Sequence, residues 1–461
     1  MSLYYKEHIM STMTIFAIIL FVITYVLIFT QQKARPYIAL ASAAIFVIVG
    51  SIGIVPEFKY TLSDALHQID WNVLMMIAGT MGTVYLFIES GMPSRLSEIL
   101  VSKVHTVKWL VVMLSLFAGI ISAFVDNVAT VLMIAPVAVA LCKKLKISPV
   151  PVIICIAISS NLQGAATLVG DTTSLLLAKA AHLDFSEFFF TEGRPGMFWV
   201  TEAGALASAF IIIWMFRDQN QPININDKTE VKDKVPTILL LLTIVSLIAV
   251  SPIQYASEAL PGEFAKPEIT NGIISMGFFI IGLIYEMIRT KQTKVAKDAV
   301  LSIDYYTILL LVGLFVVIGG IDKGGVITLI GELISGLSGD GSRGSIFLIY
   351  SIIVWASVLA SAFIDNIPYT ATMLPVVAII TERLNAGGAN VHQNLLFFGL
   401  LVGATLGGNL TPIGASANIT GIGILRKEGY EVSTKEFTKF SVPFTLAAVI
   451  TGYLLVWLIW S

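Results

Sequence analysis

Two Asp-Asn pairs lie in the middle of apolar stretches of this chain, each in nearly the same setting. Ser122 to Val137 reads SAFVDNVATVLMIAPV, and Ser361 to Val376 reads SAFIDNIPYTATMLPV. The pairs Asp126/Asp365, Asn127/Asn366 and Pro136/Pro375 fall in register. An ionisable residue at membrane depth is costly and by default marks an ion or proton pathway. Asp contributes charge, and Asn contributes both a donor and an acceptor. Where one half-helix ends and another begins, free carbonyls attract cations and free N–H groups attract anions. Helix capping alone also suits Asp and Asn, but capping requires no charge at that depth.

A second constellation follows each pair. Asn161 to Ser174 reads NLQGAATLVGDTTS, and Gly407 to Asn418 reads GGNLTPIGASAN. Such content interrupts a helix, and irregular backbone at membrane depth survives only where it is buried or lines a cavity. Thr167, Gly170, Asp171, Thr172 and Thr173 lie in the first break; Asn409, Thr411, Gly414, Ser416 and Asn418 lie in the second. Their hydroxyls and carbonyls suit Na⁺, and exposed N–H groups suit an anion. The alternative is a kink that eases packing, since Gly and Ser are common at membrane-helix contacts. Ala415 stands where the first break has Asp171. The pair of breaks is therefore asymmetric in charge, and Asp171 is a candidate proton or cation carrier.

The setting is a membrane. The 461 residues are 56% hydrophobic and only 13% charged, against about 25% charged in a soluble domain, and the mean hydropathy is +0.86. That predicts a polytopic membrane protein with little room for a soluble domain. The net charge of −2 argues against a nucleic-acid partner. Cys142 and Cys155 have no metal-ligand spacing and read as packing residues. The first apolar stretch, about Thr12–Thr30, reads as a retained helix. No P-loop, HExxH or nucleophile elbow is present, so no enzyme is expected and no cofactor is called for.

The elements that must position these residues follow from apolar length, about 20 residues per span. The first half predicts segments at Thr12–Thr30, Tyr37–Val55, Trp71–Ser90, Lys108–Leu141, Pro149–Ala180 and Gly196–Phe216. After a polar stretch, Arg217 to Lys234, the second half predicts Pro236–Ser251, Thr270–Ile288, Tyr305–Ile321, Ser345–Thr381, Gln393–Leu425 and Ser441–Trp460. Lys108–Leu141 and Ser345–Thr381 are too long for one span, and basic residues flank both ends of each. They predict re-entrant hairpins (108–141 and 345–381) with the Asp-Asn pairs at their tips. The segments 149–180 and 393–425 predict broken helices. Asp70-Trp71 matches Asp304-Tyr305, and Glu89-Ser90-Gly91 matches Lys323-Gly324-Gly325.

The domain reading is therefore a first repeat over 1–216, a linker over 217–235 and a second repeat over 236–461. If each hairpin enters and leaves on one side, each half crosses five times and the second half is inverted. A cytoplasmic linker puts about 20 of the 28 Lys and Arg inside, as the positive-inside rule favours; both termini then lie outside. Asp70 and Asp304 read as interfacial caps, Glu89, Glu202 and Glu286 as marking helix ends, and His105, His182 and His392 as surface residues. Lys179 could pair with Asp171 or snorkel to the surface. Leu183–Phe190 and Glu431–Phe440 read as interfacial helices.

At these residues the chain resembles the ion transporter superfamily, in particular the group holding arsenite permeases (ArsB), NhaD-type sodium/proton antiporters and the melanosomal P protein. The two tip sequences are similar to that group's hairpin tips, GGNLTPIGASAN resembles its second break, and LVGDTTSLLL is a partial match. The resemblance covers nearly the whole chain and extends to citrate-transporter-like and sodium-coupled dicarboxylate transporters, whose tips carry Ser-Asn-Thr where this chain has Asp126-Asn127-Val128 and Asp365-Asn366-Ile367. It implies a homodimer with a mobile transport domain, and Asn127 and Asn366 in contact with substrate or ion. The expectation is an all-α polytopic protein of the cytoplasmic membrane with two inverted-topology repeats. Its function would be transport of a small inorganic or carboxylate anion coupled to H⁺ or Na⁺, with Na⁺/H⁺ antiport as the alternative and a channel disfavoured. Na⁺, where it is the coupling ion, is expected at Asp126, Asn127, Asp171, Asp365 and Asn366.

Overall fold

The computed structural model describes residues 11–223, 230–256, 265–335 and 342–461. Residues 224–229 of the linker lie outside them. The first half runs α1 (Thr12–Thr30), α2 (Arg35–Ile52), α3 (Leu62–Gln68), α4 (Trp71–Glu89), α5 (Met92–Val101), α6 (Val107–Ser122), α7 (Asn127–Leu145), α8 (Val150–Gly164), α9 (Thr172–Ala181), the strand pair β1 (Phe190–Thr191) and β2 (Arg194–Pro195), and α10 (Met197–Met215). The second half runs α11 (Val235–Val250), α12 (Thr270–Thr290), α13 (Lys294–Leu301), α14 (Tyr305–Lys323), α15 (Val326–Ser335), α16 (Arg343–Ser361), α17 (Asn366–Ala386), α18 (Gln393–Leu401), α19 (Ser416–Lys427) and α20 (Thr434–Trp460). Helix for helix, the order of the first half recurs in the second. Among the described residues, nine helices are long and apolar enough to cross a membrane.

Several boundaries differ from the sequence expectation. The short helices α3, α5, α13 and α15 were not expected, because each is too short to carry a clear periodic signal. Gly91 and Gly325, in matching places, take φ of 75° and 73° and turn the chain from the long helix into the short one, a conformation that glycine reaches without penalty. Glu431–Phe440 is not a separate interfacial helix; from Thr434 it is the start of α20. Leu183–Phe190 holds only a 3₁₀ turn at Phe185–Phe188 before β1.

The described residues pack as two compact units that cut across the sequence halves. One gathers the chain up to Asp70, Tyr305–Ser345 and Pro375–Ala389. In it α2 lies along α14, and Gly313 lets the helices close, since a Cβ there would lie 2.6 Å from the Ala39 Cβ. Phe16, Phe46 and Phe58 cluster with ring centroids 5.4–6.0 Å apart, and the buried Tyr60 hydroxyl donates to the Val316 carbonyl at 2.8 Å. At the start of α3 the Thr61 backbone and side chain hydrogen-bond Asp64 and hold its carboxyl below the usual range.

The other unit holds Trp71–Asp304, Ile346–Leu374 and Asn390–Ser461. There α4 lies along α12, and Gly79 occupies the place in α4 that Gly313 has in α14: a Cβ at Gly79 would be 2.4 Å from the Ser275 carbonyl carbon. Small residues at such crossings let membrane helices pack on van der Waals contact alone.

This second unit also contains both tips and both breaks. The chain stops being helical after Ser122 and restarts at Asn127; it stops after Ser361 and restarts at Asn366. Each long apolar segment is thus two helices meeting at an Asp-Asn pair, and α6 and α7 both pack on α8. The break between α8 and α9 spans 165–171. The one between α18 and α19 passes through a π-helical stretch, Val402–Leu406, and a 3₁₀ turn, Gly408–Leu410.

Tip and break lock together in the same way in both halves. The Thr167 hydroxyl donates to the Ala123 carbonyl, and the Thr411 hydroxyl donates to the Ala362 carbonyl. A Cβ on Gly170 would lie 2.5–2.8 Å from the carbonyl oxygens of Gly164, Ser122 and Ala123. One on Gly414 would lie 2.6–2.9 Å from those of Gly408, Ser361 and Ala362. Backbone oxygens cannot swing aside as side-chain ends can. Gly170→Ala and Gly414→Ala are each expected to destabilise the purified protein by about 1–3 kcal/mol, read as a lower melting temperature in detergent. Gly277→Ala is the control, since nothing lies within 4 Å of a Cβ there. Equal melting temperatures for all three would show that the junctions are not tightly packed.

Candidate functional site

Each tip is first a helix cap. Asp126 Oδ1 accepts from the backbone N–H of Val128 at 3.0 Å and of Ala129 at 3.1 Å. Asp365 Oδ1 accepts from Ile367 N–H at 3.2 Å, and its Oδ2 accepts from the Ser416 hydroxyl at 3.3 Å. Capping and a functional role coexist here, because each carboxylate keeps further acceptor capacity beyond its cap.

The Asn side chains beside the caps turn inward onto the breaks. Asn127 Nδ2 donates to Asn161 Oδ1 at 3.1 Å. Asn161 Nδ2 donates to the Thr405 carbonyl at 2.8 Å and to Asn409 Oδ1 at 3.1 Å. The Thr405 and Thr173 hydroxyls meet at 2.8 Å. Thr173 Oγ1 donates to Asp171 Oδ2 at 2.6 Å, and Asn366 Nδ2 donates to the same oxygen at 3.3 Å. One buried polar chain thus runs from Asn127 through Asn161, Thr405, Thr173 and Asp171 to Asn366. Asn161, Thr173, Thr405 and Asn409 are fully excluded from solvent. Asn409 Nδ2 closes a side branch on the Ile158 carbonyl at 2.8 Å.

Local backbone makes the chain possible. Asp171 and Ala415 stand at the N-caps of α9 and α19 in nearly the same extended conformation, so Ala415 preserves the turn while losing the carboxylate. The π-helical stretch breaks the regular carbonyl ladder, and two of its carbonyls are taken by side chains: that of Thr405 by Asn161, that of Ala404 by the Ser361 hydroxyl. Asn418 Nδ2 donates to the carbonyls of Gly408 and Thr411, each at 3.2 Å, holding the second break from inside.

Of the residues expected from sequence, Asn127, Asp171, Thr173, Asn366 and Asn409 lie on this network. Asp126, Asp365 and Ser416 lie at the caps beside it. Thr167, Gly170, Thr411 and Gly414 form the tip-to-break joints rather than side-chain ligands. Thr172 opens α9 and is buried. Among the described residues, the Asp171 carboxylate accepts from Thr173 and Asn366. Asn161 and Thr405 were not singled out. Asn161 sits in the regular helical part of α8, where nothing in sequence distinguishes a network member from a helix surface residue. Its position relative to Thr167 is that of Thr405 relative to Thr411, and this correspondence was the one available signal.

Among the described residues no three His, Cys, Asp or Glu side chains converge as metal ligands. Ser174 Oγ and Asn418 Oδ1, in matching places of the first turns of α9 and α19, are buried and without a hydrogen-bond partner among the described residues.

Comparison with known proteins places this architecture. Over 450 residues the chain is 29% identical to an uncharacterised transporter of Mycobacterium tuberculosis, covering 97% of this chain and 99% of that one. It is 29% identical over 455 residues to the 46 kDa membrane protein of Mycobacterium leprae, covering 97% and 99%. It is 27% identical to the P protein of Sus scrofa over 98% of this chain and 60% of that longer protein, the relative to which the tip sequences point. Among solved structures the fold is similar to the YdaH transporter of Alcanivorax borkumensis, with a TM-score of 0.58, 14% identity, and coverage of 97% and 98%. MtrF of Neisseria gonorrhoeae follows at 0.55 and 14%, covering 92% and 95%. The model of the citrate transporter family (CitMHS) matches residues 25–403. With its tips, breaks and apolar helices, the chain is a multi-pass secondary transporter and belongs to the citrate transporter family.

Proposed function

We propose that this transporter moves a small anion, an oxyanion or a carboxylate, across the cytoplasmic membrane with H⁺ or Na⁺ as the coupling ion. The observation that carries the reading is the buried polar chain joining Asn127 to Asn366. Both tips share one hydrogen-bonded network, so an ion held at one tip is felt at the other. Four helix N-termini, those of α7, α9, α17 and α19, begin at the tips and breaks, and such termini favour negative charge. The family's description as citrate transporters supports a carboxylate. The coupling ion falls to Asp126, Asp171 and Asp365 together with Ser174 Oγ and Asn418 Oδ1, the acceptors that lack a donor. We carry the inverted repeat and the homodimer as parts of the same proposal.

Na⁺/H⁺ antiport is the second reading. It is favoured by three aspartates along a network in which the hydrogen-bond partners are amides, hydroxyls and carbonyls. Proteoliposomes with a trapped pH-sensitive dye separate the two. Proton movement that depends on Na⁺ or Li⁺ in one inert anion, and is lost in Asp126→Asn, selects antiport. Proton or Na⁺ movement that requires a carboxylate or oxyanion selects the anion carrier.

What supports the sidedness is the pairing of loop ends. Lys143 at the end of α7 bonds Glu428 at the end of α19, and Lys108 N–H bonds the Gln219 carbonyl at 2.9 Å; the charge count assigns all four to the cytoplasm. His392 Nε2 meets Glu192 at 3.0 Å, and Arg194 donates to the Ile459 carbonyl at 2.9 Å; the same count assigns these outside.

Three outcomes are expected. Asp171→Asn removes the pH dependence that arises at the aspartates while leaving a folded protein; an unchanged pH profile would remove Asp171 from the mechanism. Asn161→Ala, which strips partners from Asn127 and Asn409, raises the coupling-ion concentration for half-maximal transport by about tenfold, or about 1.4 kcal/mol; an unchanged value would show that the tips work independently. Both native cysteines are buried, so single cysteines can be read by impermeant maleimide. Glu192→Cys labels in intact cells and Asp218→Cys only after permeabilisation, and the reverse pattern would invert the topology.

A further inference from the structure

One titratable group in the same unit stands apart from the polar chain. Glu202 lies in the early turns of α10, partly buried. Its carboxylate oxygens accept from a single amide, Gln163 Nε2, at 2.9 and 2.8 Å. Gln163 is the residue before Gly164, where α8 ends, and its own carbonyl accepts from Ala166 N–H within the break at 3.0 Å. Its side chain is 1% exposed, and Oε1 is buried without a hydrogen-bond partner among the described residues. The amide fills a notch on α6. A Cβ at Gly119 would lie 1.2 Å from Gln163 Oε1, so the amide holds this position only beside a glycine and would have to shift for a larger residue.

The surroundings hold no obvious counter-charge. α10 packs on α6, α8, α20 and β2. α8 has no charged residue. Lys108 stands in the first turn of α6, whereas Gly119 is in its last. Lys435, Glu436 and Lys439 stand near the N-terminus of α20, whereas Gly452, further along that helix, meets Val200 beside Glu202. Tyr453 is engaged with Ser351, and Arg194 in β2 is engaged with the Ile459 carbonyl. Among the described residues, Gln163 is the hydrogen-bond partner of Glu202.

We propose that Glu202 is a proton-binding carboxyl distinct from the tip aspartates, and that the Gln163 amide reads its state. Charged, Glu202 accepts from Nε2, and Oε1 faces the Gly119 notch without a donor. When a proton from water binds the carboxylate, the group acquires an O–H. The amide turns so that Oε1 accepts it, and Nε2 moves into the Gly119 notch in its place. An amide is suited to this because it offers a donor and an acceptor on one planar group. The turn occurs beside Gly164, whose carbonyl packs on Gly170 at the tip-to-break joint. Protonation at Glu202 thereby acts on the break without contact with the transported ion.

Infrared titration of the purified protein, with no substrate present, tests this apart from any assumption about the cargo. On going from alkaline to acid pH, the wild type is expected to gain a protonated-carboxyl C=O band that Glu202→Gln lacks. Gln163→Met keeps the band at a shifted frequency, because the hydrogen bond to the carboxyl is gone. A titration in Glu202→Gln identical to the wild type overturns the proposal. If Glu202→Gln is not recovered folded, Gln163→Met decides: a shifted band supports the proposal, and an unshifted spectrum overturns it.

Discussion

The architecture of the site depends on one constraint: a polar group at membrane depth has no water to turn to. Every amide, hydroxyl and carboxyl there must find a partner inside the protein, at several kcal/mol for each failure. Breaking helices in the middle of a membrane creates many such groups at once. The chain meets this by placing its tips against its breaks, so that the loose ends of one satisfy those of the other. Thr167 and Thr411 tie the break backbones to the tip carbonyls, and the asparagines stitch the remainder. What is left over among the described residues includes Ser174 Oγ and Asn418 Oδ1 beside the breaks, and others within the helices, such as Ser115 Oγ and Thr370 Oγ1.

The same constraint explains why glycine rather than any side chain stands at the joints. Carbonyls from tip and break converge on Gly170 and on Gly414 so closely that a methyl group cannot enter. The long-range crossings repeat the device, with Gly79 and Gly313 in matching places of α4 and α14. Without a hydrophobic driving force between helices in lipid, close approach of backbones is the main source of cohesion, and a repeated glycine is its signature.

Much of this was legible in the sequence, for a physical reason. Segment length against membrane thickness marked the two long segments that divide into helix pairs, and the duplicated Asp-Asn pairs fall within a residue of where the helices restart. Gly, Thr, Asn and Pro content located both breaks. The side-chain network was not legible, because Asn161 joins it by facing across to Thr405, and facing is a property of packing rather than of spacing. The short helices α5 and α15 escaped because each is only ten residues long. The extent of α20 escaped because its first turns carry charge, which reads as an interface when helix length is judged by hydropathy.

The π-helical stretch in the second half has no partner in the first. Residues 158–162, which correspond to Val402–Leu406, are ordinary α-helix. A π turn holds one residue more than an α turn, so every side chain beyond it is rotated about the helix axis relative to its counterpart. The two halves thus diverge in phase as well as in charge, and identical residues placed at both tips would still not see identical surroundings.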